Sequence, residues 1–317
     1  MTEKINIKIY DRLNLKSILD LIQESDHNNR DQISWLTNNM SAILAFNNNE
    51  LIGVIPFEQH LIKKKQNIFL DSLWVTAAYI KPSYRNRGIG SSMDSMIKKL
   101  FPEKKCVLVM RHDEGSLAYK WYKKNGYKVL SEVISLRMKA NDFTLYSQNN
   151  YKIINEFEKI NNISEELLLS FNHYNNLYFN FPKRNLKSWT DRLKYHYYNK
   201  SYEYNIITNS SKDGPLNFAL IGLTSIKDNV LRVDILELSC IENFSEFAKL
   251  ISSIIEFANL RNINEIRVQV ALNDYLYKYF CQIGFSQRWK TNLMVKSLSD
   301  EVELTSLNTR FFQIDYI

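Results

Sequence analysis

Arg85-Asn86-Arg87-Gly88-Ile89-Gly90-Ser91 brings two guanidinium groups and two glycines together within seven residues. That combination suits an anion. Glycine removes the Cβ where a bulky group must approach the backbone, and arginine adds charge-assisted donors. A helix starting here would add unpaired N–H groups and the positive end of its dipole. Two other phosphate loops are excluded. A dinucleotide fingerprint needs a third glycine where Met93 stands, and a P-loop needs Gly-Lys-Ser/Thr, which does not occur. The segment reads as a pyrophosphate loop.

A second chemical segment follows: Gly115-Ser116-Leu117-Ala118-Tyr119-Lys120-Trp121-Tyr122-Lys123-Lys124-Asn125-Gly126-Tyr127. Ala118 and Tyr122 are four apart, on one face of a helix, and Gly126 marks its end. The loop, with Pro82 three residues before Arg85, reads Arg-x-x-Gly-x-Gly. Loop and helix together resemble the GNAT superfamily of acyl-CoA-dependent N-acetyltransferases, which carries this motif before one helix and Asn-x-x-Ala-x-x-x-Tyr-x-x-x-Gly-Phe/Tyr in the next.

The resemblance implies acetyl-CoA as co-substrate, with no metal. It implies that the backbone of Ala78, Tyr79 and Ile80 pairs with the pantetheine arm, and that Arg85, Asn86, Arg87, Gly88, Ile89, Gly90 and Ser91 surround the pyrophosphate. Tyr122 would reach the thioester sulfur, where a hydroxyl can protonate the departing thiolate. Two departures accompany the match. Gly115 replaces the family's Asn, leaving Ser116 to reroute that hydrogen bond beside Ala118. The family's usual base positions map near Trp74 and Met110, neither of which is a base. Asp71, Glu58, His112, Asp113 and Glu114 are the candidates instead.

The elements that must position these groups follow from periodicity. A strand is expected at 4–10, helices near 14–24 and 30–40, and a hairpin at 42–57 turning on Asn47-Asn48-Asn49-Glu50. A long strand at 67–81 ends at Pro82, ahead of a helix over 88–101. Strand 106–110, helix 116–125 and strand 129–138 complete the set. After a polar stretch the order recurs: a hairpin at 202–225, strand 230–240, helix 244–260, strand 266–271, helix 273–283 and strand 293–298. Asn125-Gly126-Tyr127 and Ile283-Gly284-Phe285 occupy matching places, which marks an internal duplication. The expected fold is α/β: two tandem GNAT-like domains, each a mixed, mainly antiparallel sheet flanked by helices. Residues 1–140 form the first domain, 141–150 a linker and 151–317 the second.

In the second copy Phe280 replaces Tyr122, Leu276 replaces Ala118, and Asn273 restores the Asn. Its loop, Cys240-Ile241-Glu242-Asn243-Phe244-Ser245-Glu246, has no glycine or cation, and its two carboxylates would repel a pyrophosphate. This copy is expected to be degenerate. Arg184-x-x-x-x-Trp189-x-x-Arg192-Leu193 is similar to a stretch in the enhanced-intracellular-survival acetyltransferases, tandem members in which the C-terminal carboxylate, here Ile317, enters the active site.

The bulk composition narrows the class. The 317 residues carry a net charge of +7, yet the basic residues are dispersed, and the densest run, Lys63-Lys64-Lys65, is too short for a nucleic-acid arm. Cys106, Cys240 and Cys281 form no Cys-x-x-Cys, and the five histidines no His-x-x-x-His, so neither a disulfide framework nor a metal site is expected. No apolar run approaches membrane length and the N-terminus is not a signal peptide, which fits the cytoplasm. The partner expected is a small-molecule or peptide amine, with no nucleic acid and no membrane. An acetyltransferase leads; a CoA-binding sensor with a dead acyl site and an aminoacyl-tRNA-dependent transferase stand as alternatives.

Overall fold

The computed structural model describes residues 5–10, 17–18, 20–21, 41–65, 68–75, 78–111, 114–143, 152–154, 164–175, 203–209, 217–225, 230–240 and 242–299. Most of the two early helices, His112, Asp113, the Arg184–Leu193 segment, the 212–215 turn and Ile317 lie outside them. Contacts divide the chain into two units. One is built from the described residues of 1–62, 69–130 and 292–306, the other from those of 63–68 and 131–291. The expected boundary at 140 falls within the second unit, because each unit takes its closing strand from the other half of the chain.

In the first unit β1 (Ile5–Ile9), β2 (Ser41–Asn47) and β3 (Glu50–Lys65) form an antiparallel series that continues to β4 (Ile68–Val75). The expected strand at 67–81 is two elements: β5 (Tyr79–Ile80) is separate from β4 and pairs with Val54 and Gly53 of β3. β4 runs parallel to β6 (Cys106–Arg111), and Asn292–Ser297 then closes the sheet antiparallel to β6. The expected helix over 88–101 is broken at Met96 into α1 (Ile89–Ser95) and α2 (Ile97–Leu100). Ser95 Oγ donates to the Ser92 carbonyl at 2.8 Å, a local bond that competes with the helix ladder and bends it. α3 (Leu117–Lys124) leads through Gly126 into β7 (Lys128–Lys139).

Alternation on the strands separates two faces. Ile55, Phe57, Leu73 and Val75 face the core that receives Met93, Tyr122 and Tyr127 from the helical segments. Val54 faces the opposite layer with Ile18 and Leu21. Each such side chain, fully buried, contributes about 1.5–3 kcal/mol.

The second unit repeats the plan. β8 (Lys152–Ile154), β9 (Glu203–Asn209), β10 (Asn217–Ser225) and β11 (Leu231–Ser239) form the antiparallel series. Between β8 and β9 in sequence lies α4 (Ser164–Asn175), which, like β8, was not read from the sequence. α5 (Phe244–Leu260) connects β11 to the parallel β12 (Glu265–Ala271), and α6 (Tyr275–Ile283) precedes β13 (Ser286–Ser297). β12 is closed antiparallel by Val133–Lys139 of β7. β7 and β13 are thus exchanged between the copies.

The helix–turn–strand junctions of the copies coincide. Tyr127 N donates to Tyr122 O at 3.1 Å and Phe285 N to Phe280 O at 3.0 Å. Gly126 (φ 89°) and Gly284 (φ 109°) take the left-handed conformation that ends each helix. Both aromatic pairs, Tyr122–Tyr127 and Phe280–Phe285, meet edge-on at 4.9 Å.

Candidate functional site

The first unit opens a groove of about 540 Å3 between the loop after β5 and the face of α3. Its near wall is Ala78, Tyr79 and Ile80, and its floor is the turn carrying Arg85, Asn86, Gly88, Ile89, Gly90 and Ser91. Ala118 and Tyr122 form part of the opposite wall. Eleven of the thirteen residues singled out from the sequence therefore line one cavity. Arg87 and Ser116 do not. Arg87 lies over the Tyr84 ring, 5.2 Å from its centroid. Ser116 caps α3, its Oγ accepting from Tyr119 N at 3.1 Å, so this side chain is committed to the helix.

The loop conformation follows from its residues. Pro82 starts a short 3-10 turn through Tyr84, and Asn86 (φ 61°) and Gly88 (φ 78°) then adopt the left-handed region. A Cβ on Gly88 would meet nothing within 4 Å, so this glycine serves backbone conformation and leaves open space above the loop. Gly88 caps α1 without a side chain, which leaves the first-turn amides unsatisfied by any cap. Gly90 lines the groove and also makes room for Trp121: a Cβ added to it would stand 3.3 Å from the indole. Arg85 Nε donates to Ile80 O at 2.9 Å, and its guanidinium stands 5.4 Å over the Tyr79 ring.

Tyr122 is 2% exposed and meets Trp121 edge-on at 4.8 Å as well as Tyr127. Sequence reasoning missed Ile55, Tyr84, Leu117, Trp121 and Lys124, which also line the groove. Leu117 and Trp121 had a usable signal: with Ala118 and Tyr122 they complete one helical face.

Among the base candidates, Asp71 is half exposed and pairs with Lys104 at 3.4 Å. Glu114 is exposed, and His112 and Asp113 lie outside the described residues. Glu58 is only 6% exposed, with Oε2 2.8 Å from His60 Nε2. The His60 ring meets Trp74 edge-on at 6.3 Å, and Ser72 Oγ donates to His60 O at 2.8 Å. This carboxylate–imidazole pair thus adjoins the β4 position where the resemblance expects a base. No cluster of three potential metal ligands occurs among the described residues, and no described helix is long and apolar enough to cross a membrane.

In the second unit, aromatic rings join α5 to α6 and a side chain caps α5. Phe244 and Phe247 each stand 5.3 Å from Tyr279, and Phe247 meets Phe280 at 4.9 Å. Asn243 Oδ1 accepts from Ser245 N at 2.9 Å and Glu246 N at 3.2 Å, occupying the amides that Gly88 leaves uncapped in the first unit. Burial, then Glu242 and Cys240, pushes the Tyr279 phenol above its ordinary pKa.

Residues 9–127 match the model of the acetyltransferase (GNAT) family. No curated protein matches the chain. A solved protein of unknown function from Enterococcus faecalis V583, described as a probable N-acyltransferase, aligns with a TM-score of 0.72 at 12% identity over 93% of this chain and 72% of its own. Eis1 from Mycobacterium abscessus aligns at 0.62 and 10% identity, over 93% and 74%. Saccharomyces cerevisiae N-myristoyltransferase with bound myristoyl-CoA aligns at 0.59 and 9% identity, over 93% and 79%. At such identities the likeness is one of fold, and it extends across both units. The family match over residues 9–127 takes in every residue that lines the groove.

Proposed function

We propose that the first unit transfers an acetyl group from acetyl-CoA to a primary amine by direct attack. The carrying observation is the single groove that runs from the Arg85–Ser91 loop to Tyr122. Its open space over Gly88 and its uncapped amides fit a pyrophosphate, and Ala78–Ile80 line the same groove where an amide-bearing arm would run. Acetyl-CoA supplies an acyl group activated as a thioester.

The amine nitrogen forms the new C–N bond, Tyr122 donates its hydroxyl proton to the sulfur as the C–S bond breaks, and the second proton shed by the nitrogen returns to the Tyr122 oxygen. Glu58, backed by His60, takes the proton that the ammonium must lose before it attacks. A buried carboxylate on that sheet face favours a cationic acceptor. The second unit has lost its cofactor site, a reading that its aromatic contacts around Tyr279 and the Asn243 cap support, and its role is structural or acceptor-shaping.

The test is acyl transfer from CoA thioesters of increasing chain length to an amine panel. Acetyl-CoA is expected to be the preferred donor. Tyr122→Phe is expected to lower kcat about 100-fold or more while leaving CoA binding unchanged. Undiminished turnover in that variant removes the assigned acid, and preference for a long acyl chain removes acetyl specificity.

A further inference from the structure

The Lys81–Gly88 loop has little regular structure of its own. Its local backbone bonds are Tyr84 N to Lys81 O at 2.9 Å and Arg85 N to Pro82 O at 3.2 Å. Fixing each residue of such a loop costs about 1–2 kcal/mol of conformational entropy, so something outside it must hold its shape.

That support comes from the β2–β3 hairpin. Asn47 and Glu50 face each other across its tight turn, where Asn48 has φ 53°. Both reach Tyr84: its hydroxyl donates to Glu50 Oε2 at 3.1 Å and accepts from Asn47 Nδ2 at 3.1 Å. The other Glu50 oxygen, Oε1, accepts from Lys81 Nζ at 2.9 Å, while Lys81 N is bound to Ile52 O at 2.9 Å. One carboxylate therefore grips both ends of the 3-10 turn. The Tyr84 ring then lines the groove and carries the Arg87 guanidinium on its face.

We infer, on the cofactor reading above, that Asn47 and Glu50 are positioning residues which hold the pyrophosphate loop in its binding shape through Tyr84. An acid so near an anion site would ordinarily be unfavourable. Here its charge is met by Lys81, and that bond, followed by the one from Tyr84, holds the Glu50 carboxyl below its usual pKa. The surface ion pair alone would be worth little; the shared oxygens tie three residues into one unit.

The test is calorimetric titration of the full chain with CoA and with pantetheine, which has no pyrophosphate. Tyr84→Phe keeps the ring but loses the hydroxyl, and Glu50→Ala removes the grip. Each is expected to weaken CoA binding about 5–10-fold, the scale of one ordinary net hydrogen bond, and the double variant is expected to be little worse than either. Pantetheine affinity and Tm should stay unchanged. CoA affinity within twofold of wild type in both variants overturns the inference, as does an equal loss for pantetheine. Failure of the wild-type chain to bind CoA overturns the cofactor reading and this inference together.

Discussion

Gly90 lies so close beneath Trp121 that a Cβ added to it would stand 3.3 Å from the indole Cζ2. The second glycine of the loop is therefore a packing residue that sets how nearly α1 approaches α3. The two helices bound the groove, so that separation sets its width.

Gly90→Ala is expected to push the indole aside by a few tenths of an ångström and to weaken CoA binding about 3–10-fold, an overpacking effect. Calorimetry on the variant, and on Gly90→Ala with Trp121→Leu, checks this. Recovery of affinity in the double variant is the expected signature of steric coupling. Equal losses in both would place the cost in the loop backbone.

Lys296, in the closing strand, donates to the buried Asp94 carboxylate, which also accepts from Tyr127 Oη at 2.9 Å. Lys296→Met should leave a buried carboxylate without its cation and cost about 3 kcal/mol in denaturant unfolding. Adding Asp94→Asn should restore part of that loss. A change under about 0.5 kcal/mol in the single variant would remove the clasp from the stability of this sheet.

Burial pushes the Cys106 thiol up to about 12, so at pH 8 roughly one molecule in 10,000 carries its thiolate. Cys240 is also buried, whereas Cys281 is exposed. A thiol-specific disulfide reagent at pH 8 is expected to modify one cysteine in the native protein and all three after denaturation. Rapid native modification of Cys106, mapped by peptide mass, would contradict the buried position of β6.

Much of the groove was legible in the sequence because its parts are local. The loop from Arg85 to Ser91 is a contiguous string, and Ala118 and Tyr122 share a helical face by spacing alone. Ser116 shows the limit. Ser116 lies beside Ala118 in the motif, yet its hydroxyl caps α3, since a serine before a helix satisfies an amide that would otherwise go unpaired. Glu50 gave no signal at all, because it meets Tyr84 only when a hairpin 34 residues earlier in the chain folds back beside the loop.

The sequence by itself determined the glycine- and arginine-rich make-up of the loop, the place of Tyr122 on its helix and the duplication of the helix–glycine–strand junction. Those depend on residue type and short-range periodicity. Tertiary structure alone decided that β5 leaves the line of β4 to pair with β3, that Gly90 makes room for Trp121, and that Asn292–Ser297 closes the sheet of the first unit. Backbone pairing is nearly indifferent to side-chain identity, so a strand's pattern states which face it buries but not which strand it joins.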